Sequence, residues 1–76
     1  MLVRIGSIVT AELFGGTEVT GKVINIEICK SGEKYGGRVV KNCDLDKQSI
    51  GVIDLDNGHW CYFYQVKKVE ENSNSY

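Results

Sequence analysis

Seventy-six residues with a formal net charge of −1 make one small domain. A chain this short buries only ~60–65% of the surface that its unfolded form exposes, so function belongs on a shallow face, in a groove or at an oligomer interface, and not in a deep cleft. The charge balance also excludes a general nucleic-acid coater, which needs many phosphate-neutralising cations, while leaving room for a local basic patch.

Nine glycines, no proline and an abundance of Val, Ile and Thr favour strands and turns. Nowhere do apolar residues recur at helical spacing for three turns. The opening residues, Met1 to Ile5, are too short an apolar stretch for a signal peptide, and no run approaches transmembrane length; the expected setting is cytoplasmic, with no membrane partner. Three cysteines, an odd number without paired spacing, fit a reducing compartment.

In chain order, Leu2, Val3 and Ile5 read as a short opening strand or strap. From Ser7 to Phe14 the small apolar set Val9, Ala11, Leu13 alternates with Ile8, Thr10, Glu12, Phe14, and the first set suits a barrel interior. Gly15-Gly16 is a turn, and Thr17 to Ile28 a second strand with Gly21 at a sharp bend or close strand crossing. Its apolar parity changes from Val19 and Val23 to Ile24, Ile26 and Ile28, which predicts a bulge near Val23-Ile24 or a strand buried on both faces. Lys30 to Gly37 lacks an apolar pattern and reads as a loop; Arg38 to Cys43 resumes as a strand, and Asp44 to Ser49 is turn-like. Gln65 to Val69 would close the barrel, and residues 70–76 are expected to be a disordered polar tail behind a single domain spanning 1–69.

Between them stands the stretch that organises the rest, Ile50 to Val66, read as two strands joined at Asn57-Gly58. A two-residue type I′ turn needs positive φ at both central positions, and Asn-Gly suits it best. That turn pairs Leu55 with Trp60, Asp54 with Cys61, Ile53 with Tyr62 and Gly51 with Tyr64. Both faces of the hairpin are then too apolar for one to lie bare in water. The favoured interior is Ile50, Val52, Cys61 and Phe63, which leaves Trp60, Tyr62 and Tyr64, with Ile53 and Leu55, as an interaction surface; the opposite choice would expose His59 and Asp54. Gly58→Val and changes at Gly21 are expected to be poorly tolerated.

The run from Ile8 to Glu27 resembles the first sequence motif of the Sm-like family, with Gly21, Val23, Ile26 and Glu27 in its Gly-x-hydrophobic-x-x-hydrophobic-acidic places. Gly51 to Trp60 is similar to the Asp-Asp-Gly hairpin of Tudor-like domains. The resemblance implies an all-β, small, five-stranded, strongly bent SH3-like or Sm-like barrel. It implies no activity: after Glu27 stand Ile28, Cys29, Lys30 and Ser31 where that family places a base-contacting residue, and the second Sm motif has no counterpart.

Two binding surfaces follow. Lys30, Lys34, Arg38 and Lys41 face only Glu33 in a glycine-rich loop where backbone N–H groups can approach an anion and Tyr35 offers a stacking ring. With Trp60 and Tyr62 nearby, Lys30, Lys34, Tyr35 and Arg38 make a candidate site for nucleic acid or a phosphate-bearing ligand, in a protein expected to be homo-oligomeric. The alternative is a protein-interaction or self-assembly module using the aromatic hairpin, such as an accessory or inhibitor protein of a phage or mobile element. A Tudor-like methyl-lysine cage lacks identifiable further walls. Cys29, Cys43, His59 and Cys61 form a zinc-compatible inventory without zinc-like spacing, and a Cys-His-Asp list on a flat hairpin does not converge on one substrate point. Neither an enzyme nor a cofactor is expected.

Overall fold

A computed structural model describes residues 1–29, 37–48 and 50–70. They fold into eight strands: β1 (Leu2–Arg4), β2 (Ile8–Glu12), β3 (Glu18–Ile28), β4 (Arg38–Val40), β5 (Asn42–Asp44), β6 (Gly51–Leu55), β7 (Trp60–Tyr62) and β8 (Val66–Glu70). A 3₁₀ turn, Phe63–Gln65, joins β7 to β8, and the described residues contain no α-helix. The main sheet runs β7-β6-β3-β2-β8 with β4 beside β3, while β1 and β5 form a separate two-stranded ribbon. All pairings are antiparallel.

Strand β3 spans both halves of the sheet. Its first half pairs with β2 (Val9 opposite Gly21, Ala11 opposite Val19), and its second half lies between β4 and β6. The change of apolar parity along it is a bulge: the ladder to β6 steps from Val23 opposite Leu55 to Asn25 opposite Asp54, leaving Ile24 as the extra, exposed residue. Val23 and Ile26 therefore both point inward although they stand three positions apart, an odd spacing that an unbroken strand forbids.

The core gathers Val3, Val9, Ala11, Val23, Ile26, Cys43, Ile53, Leu55, Cys61 and Phe63, with Leu13 and Val40 packed against it. The Val9, Ala11, Leu13 side of β2 thus faces inward as its alternation implies. The expected strand from Arg38 to Cys43 divides at Lys41: β4 stays on β3, whereas β5 departs to pair with β1, and Ile5 N–H donates to the Lys41 carbonyl at the parting. Glu70 is still in β8, opposite Ile8, one residue beyond the expected end of the domain.

The hairpin differs from the type I′ expectation by one residue. Asp54 lies opposite Trp60, Ile53 opposite Cys61 and Val52 opposite Tyr62. Leu55 N–H donates to the His59 carbonyl at 2.9 Å, so the loop holds three residues, Asp56 to Gly58, with Gly58 at φ +86°. This is the geometry of a turn closed by a left-handed glycine, the next commonest hairpin class. The extra residue is drawn in by β3. Asp56 N–H donates to the Lys22 carbonyl, Lys22 N–H donates to Asp56 Oδ1, and Asn57 Nδ2 donates to the Thr20 carbonyl. The loop consequently lies across Gly21, where a Cβ would stand 2.9 Å from Asn57 Nδ2 and 3.0 Å from Leu55 Cβ. Gly21 marks a close crossing.

Because side chains alternate with period two, the slip exchanges the faces of β6 alone. Ile53 and Leu55 are buried and Ile50 is exposed, the reverse of the expected interior, whereas Cys61 and Phe63 are inside as expected. Gly51 lies beneath Phe63 and not Tyr64: a Cβ there would come within 2.3 Å of Phe63 Cζ.

Candidate functional site

Trp60 and Tyr62 alternate with buried Cys61 and so emerge on the outer face of β7, beside Asp54 and Val52 and not beside Ile53 and Leu55. The 3₁₀ turn then changes the chain's direction, burying Phe63 and bringing Tyr64 back over Tyr62. The two tyrosine rings stack 5.4 Å apart, tilted by 5°. Trp60 meets Tyr62 edge to face at 5.1 Å, and Phe14, from the turn between β2 and β3, meets it at 6.2 Å. Four rings from two distant stretches thus form one ribbon centred on half-buried Tyr62. Phe14 is 74% exposed, Tyr64 67% and Trp60 49%.

Phe14 stands between two shallow grooves. One, of about 330 Å³, runs past Gly58, His59, Trp60 and Tyr62; the other, of about 270 Å³, runs past Glu12, Tyr64, Val66 and Lys67. Leu13, Phe14 and Gln65 line both. Gln65 is 8% exposed, and its Oε1 accepts the Tyr62 N–H at 2.9 Å. That bond occupies an outward amide of the edge strand β7, a position otherwise open to pairing with another chain.

The charges beside the ribbon are mostly engaged. Lys67 Nζ lies 3.1 Å from Glu12 and 3.3 Å from Glu18, and hydrogen bonds to these carboxylates, Glu12 first, raise its pKa above the usual lysine value. Asp54 Oδ2 accepts from Asn25 Nδ2, and Asp56 is bound to the β3 backbone. Glu12, Glu18 and Lys67 together carry one net negative charge at the mouth of the second groove.

Of the residues expected to bind a ligand, Trp60 and Tyr62 are adjacent on the ribbon. Arg38 is exposed at the start of β4, which lies on the other side of β3 and β6 from β7. Lys30, Lys34 and Tyr35 lie outside the described residues. Cys61 is sealed in the core while His59 is exposed, and among the described residues no group of three or more His, Cys, Asp or Glu is placed to hold a metal ion. Burial pushes the Cys61 thiol up to about 11, with the Asp54 charge adding to it, which makes it a poor nucleophile. No helix among the described residues is long and apolar enough to cross a membrane.

Sequence reasoning placed Trp60, Tyr62 and Tyr64 on one face but not the fourth ring, Phe14. Phe14 was visible as an outward residue by alternation on β2, but nothing along the chain joins it to Tyr62. Gln65 carries no signal in the sequence, since its burial arises only when the 3₁₀ turn folds back under Phe14.

No family model matches the chain. Neither the search of curated proteins nor that of solved structures found a similar one.

Proposed function

We propose that the protein is a non-catalytic binding module on a small SH3-like barrel, and that the ribbon of Phe14, Trp60, Tyr62 and Tyr64 takes an extended apolar segment of a partner protein. The barrel reading is supported by the strand order β7-β6-β3-β2-β8, whose two outermost strands are linked by the 3₁₀ turn though not paired with each other, and by a single core drawn from β2, β3, β6 and β7. The observation that carries the function is the four-ring ribbon with a groove on either side of Phe14. Rigid rings give a large contact area at low entropic cost, and aromatic-lined grooves suit polyproline-type chains, whose backbone has no internal hydrogen bonds.

Size separates this reading from self-assembly. At 150–250 Å² per aromatic side chain, the exposed fractions leave roughly 400 Å² of ring surface open, about half of the ~800 Å² per partner that a stable protein–protein interface buries. A peptide or a transient partner fits that area better than an obligate dimer.

The nucleic-acid or phosphate reading is the second one. The parallel Tyr62 and Tyr64 rings offer a surface on which bases stack. Against it at this face, Lys67 is already held by two carboxylates. Trp60 is the single tryptophan and reports on the ribbon directly. Titrating its fluorescence with a capped peptide of three Pro-Leu-Ala repeats, and with oligo(dT), at about 0.05 and 0.5 M salt separates the two. Peptide binding that changes little with salt is expected. Binding of oligo(dT) alone, weakening steeply as salt rises, would replace the peptide reading with the second.

A further inference from the structure

Gln65 is more than nine-tenths buried, yet only one end of its carboxamide is used. The Tyr62 N–H is a donor, so the end facing it must be the oxygen; this fixes the orientation of the amide and turns Nε2 the other way. Among the described residues no group accepts a hydrogen bond from Nε2, and no polar side-chain atom is both fully sealed and unpartnered. The nitrogen therefore opens onto the surface, and the surface it meets is the floor shared by the two grooves on either side of Phe14. A buried amide held by a backbone bond, with two unused donors on a floor otherwise made by Leu13 and Phe14, is a fixed reader of an acceptor.

We propose that Gln65 is the polar specificity residue of the ribbon, its Nε2 donating to a main-chain carbonyl of an extended peptide lying across Phe14, Tyr62 and Tyr64. The inference rests on the peptide reading above and adds to it the atom that fixes the ligand's register. A carbonyl is the group expected there, because an extended chain presents one at every residue and a proline-containing one presents few N–H donors. Discrimination comes from the cost of leaving a buried donor unpaired, so a ligand with no acceptor at that point is disfavoured even where its apolar contacts fit.

The test uses wild-type protein and the Pro-Leu-Ala peptide with single main-chain replacements, an ester at a Pro-Leu or Leu-Ala bond and a thioamide at an Ala-Pro bond, where proline has no N–H to exchange for an ester oxygen; each weakens one main-chain carbonyl as an acceptor. One replacement is expected to weaken binding about three- to tenfold, with the others near neutral. The Gln65→Glu variant keeps an acceptor for the Tyr62 N–H but presents no donor to the groove. It is expected to fold, to bind the all-amide peptide at least about tenfold more weakly, and to show no further loss with the sensitive replacement. Replacements that are neutral at every position in wild-type protein overturn the role of Gln65 while leaving the ribbon reading intact; this arm needs no variant to fold. Equal affinity of wild type and a folded Gln65→Glu variant overturns it too. A peptide that binds neither protein, whether or not oligo(dT) binds, removes the ribbon reading itself.

Discussion

Two sides of one short stretch, Trp60 to Gln65, do different work. Inward, Cys61 and Phe63 are part of the core, and Phe63 rests on Gly51 so closely that no other residue fits beneath it. Outward, Trp60, Tyr62 and Tyr64 touch mainly one another and Phe14. Side chains of similar size and polarity thus stabilise the fold on one side and present a surface on the other. The distinction is set by β-strand alternation and by the 3₁₀ turn, which carries Tyr64 back over Tyr62. Hydrophobic content says how much must be covered; pleat and turn decide which residues the protein covers itself.

Substitutions on the two sides should therefore separate stability from binding. Phe63→Ala should cost about 3–5 kcal/mol, and Gly51→Ala about 3 kcal/mol because its new Cβ meets both Phe63 and the Glu27 carbonyl, each measurable by urea unfolding. Combined with Phe63→Leu, Gly51→Ala should cost clearly less than the sum of the single effects, because the ring supplies part of the clash. Strict additivity would place the damage at the backbone alone.

Alkaline pH probes the same inner face without substituting a residue. The buried Cys61 thiol holds its proton up to about 11, against an ordinary value near 9. The folded state binds that proton more tightly, so its contribution is complete below about pH 9 and is lost as pH climbs through 11, at most about 1.4 kcal/mol per pH unit. Burial raises Cys43 in the same direction. Unfolding free energy should fall across this window by about 2–3 kcal/mol, and Cys61→Ala should remove most of the slope. A slope unchanged in that variant would assign the titration to other groups.

At the loop, Gly58→Val should cost about 1–2 kcal/mol. The cause is conformational alone, since φ is +86° and a Cβ there would meet nothing within 4 Å. Melting curves that leave this variant unmoved would show that the loop relaxes to another turn.

The fold was legible where apolar pattern and chain geometry agree. Val9, Ala11 and Leu13, the β3 bulge, the Gly21 crossing, and the inward Cys61 and Phe63 all follow from alternation and from what glycine permits. The hairpin register was not legible, because Asn-Gly favours a two-residue turn locally, while three hydrogen bonds from Asp56 and Asn57 to β3, formed only in the folded chain, take up one more residue. That single residue moved Ile53 and Leu55 inside and Ile50 out. Of the candidate site, the aromatic residues of β7 were readable and their partners were not: Phe14 and Gln65 reach Tyr62 through packing between segments some fifty residues apart in sequence, or through a turn too short to show periodicity.

The central claim is that the ribbon serves binding and not folding, and the Phe14→Ala/Tyr64→Ala double variant tests it by thermal melting alongside a Trp60 fluorescence titration with the Pro-Leu-Ala peptide. The expected result is a melting temperature within about 5 °C of wild type, a change of about 1 kcal/mol or less, with peptide binding abolished. A fall of more than about 15 °C, or peptide binding undiminished in a folded variant, would contradict it.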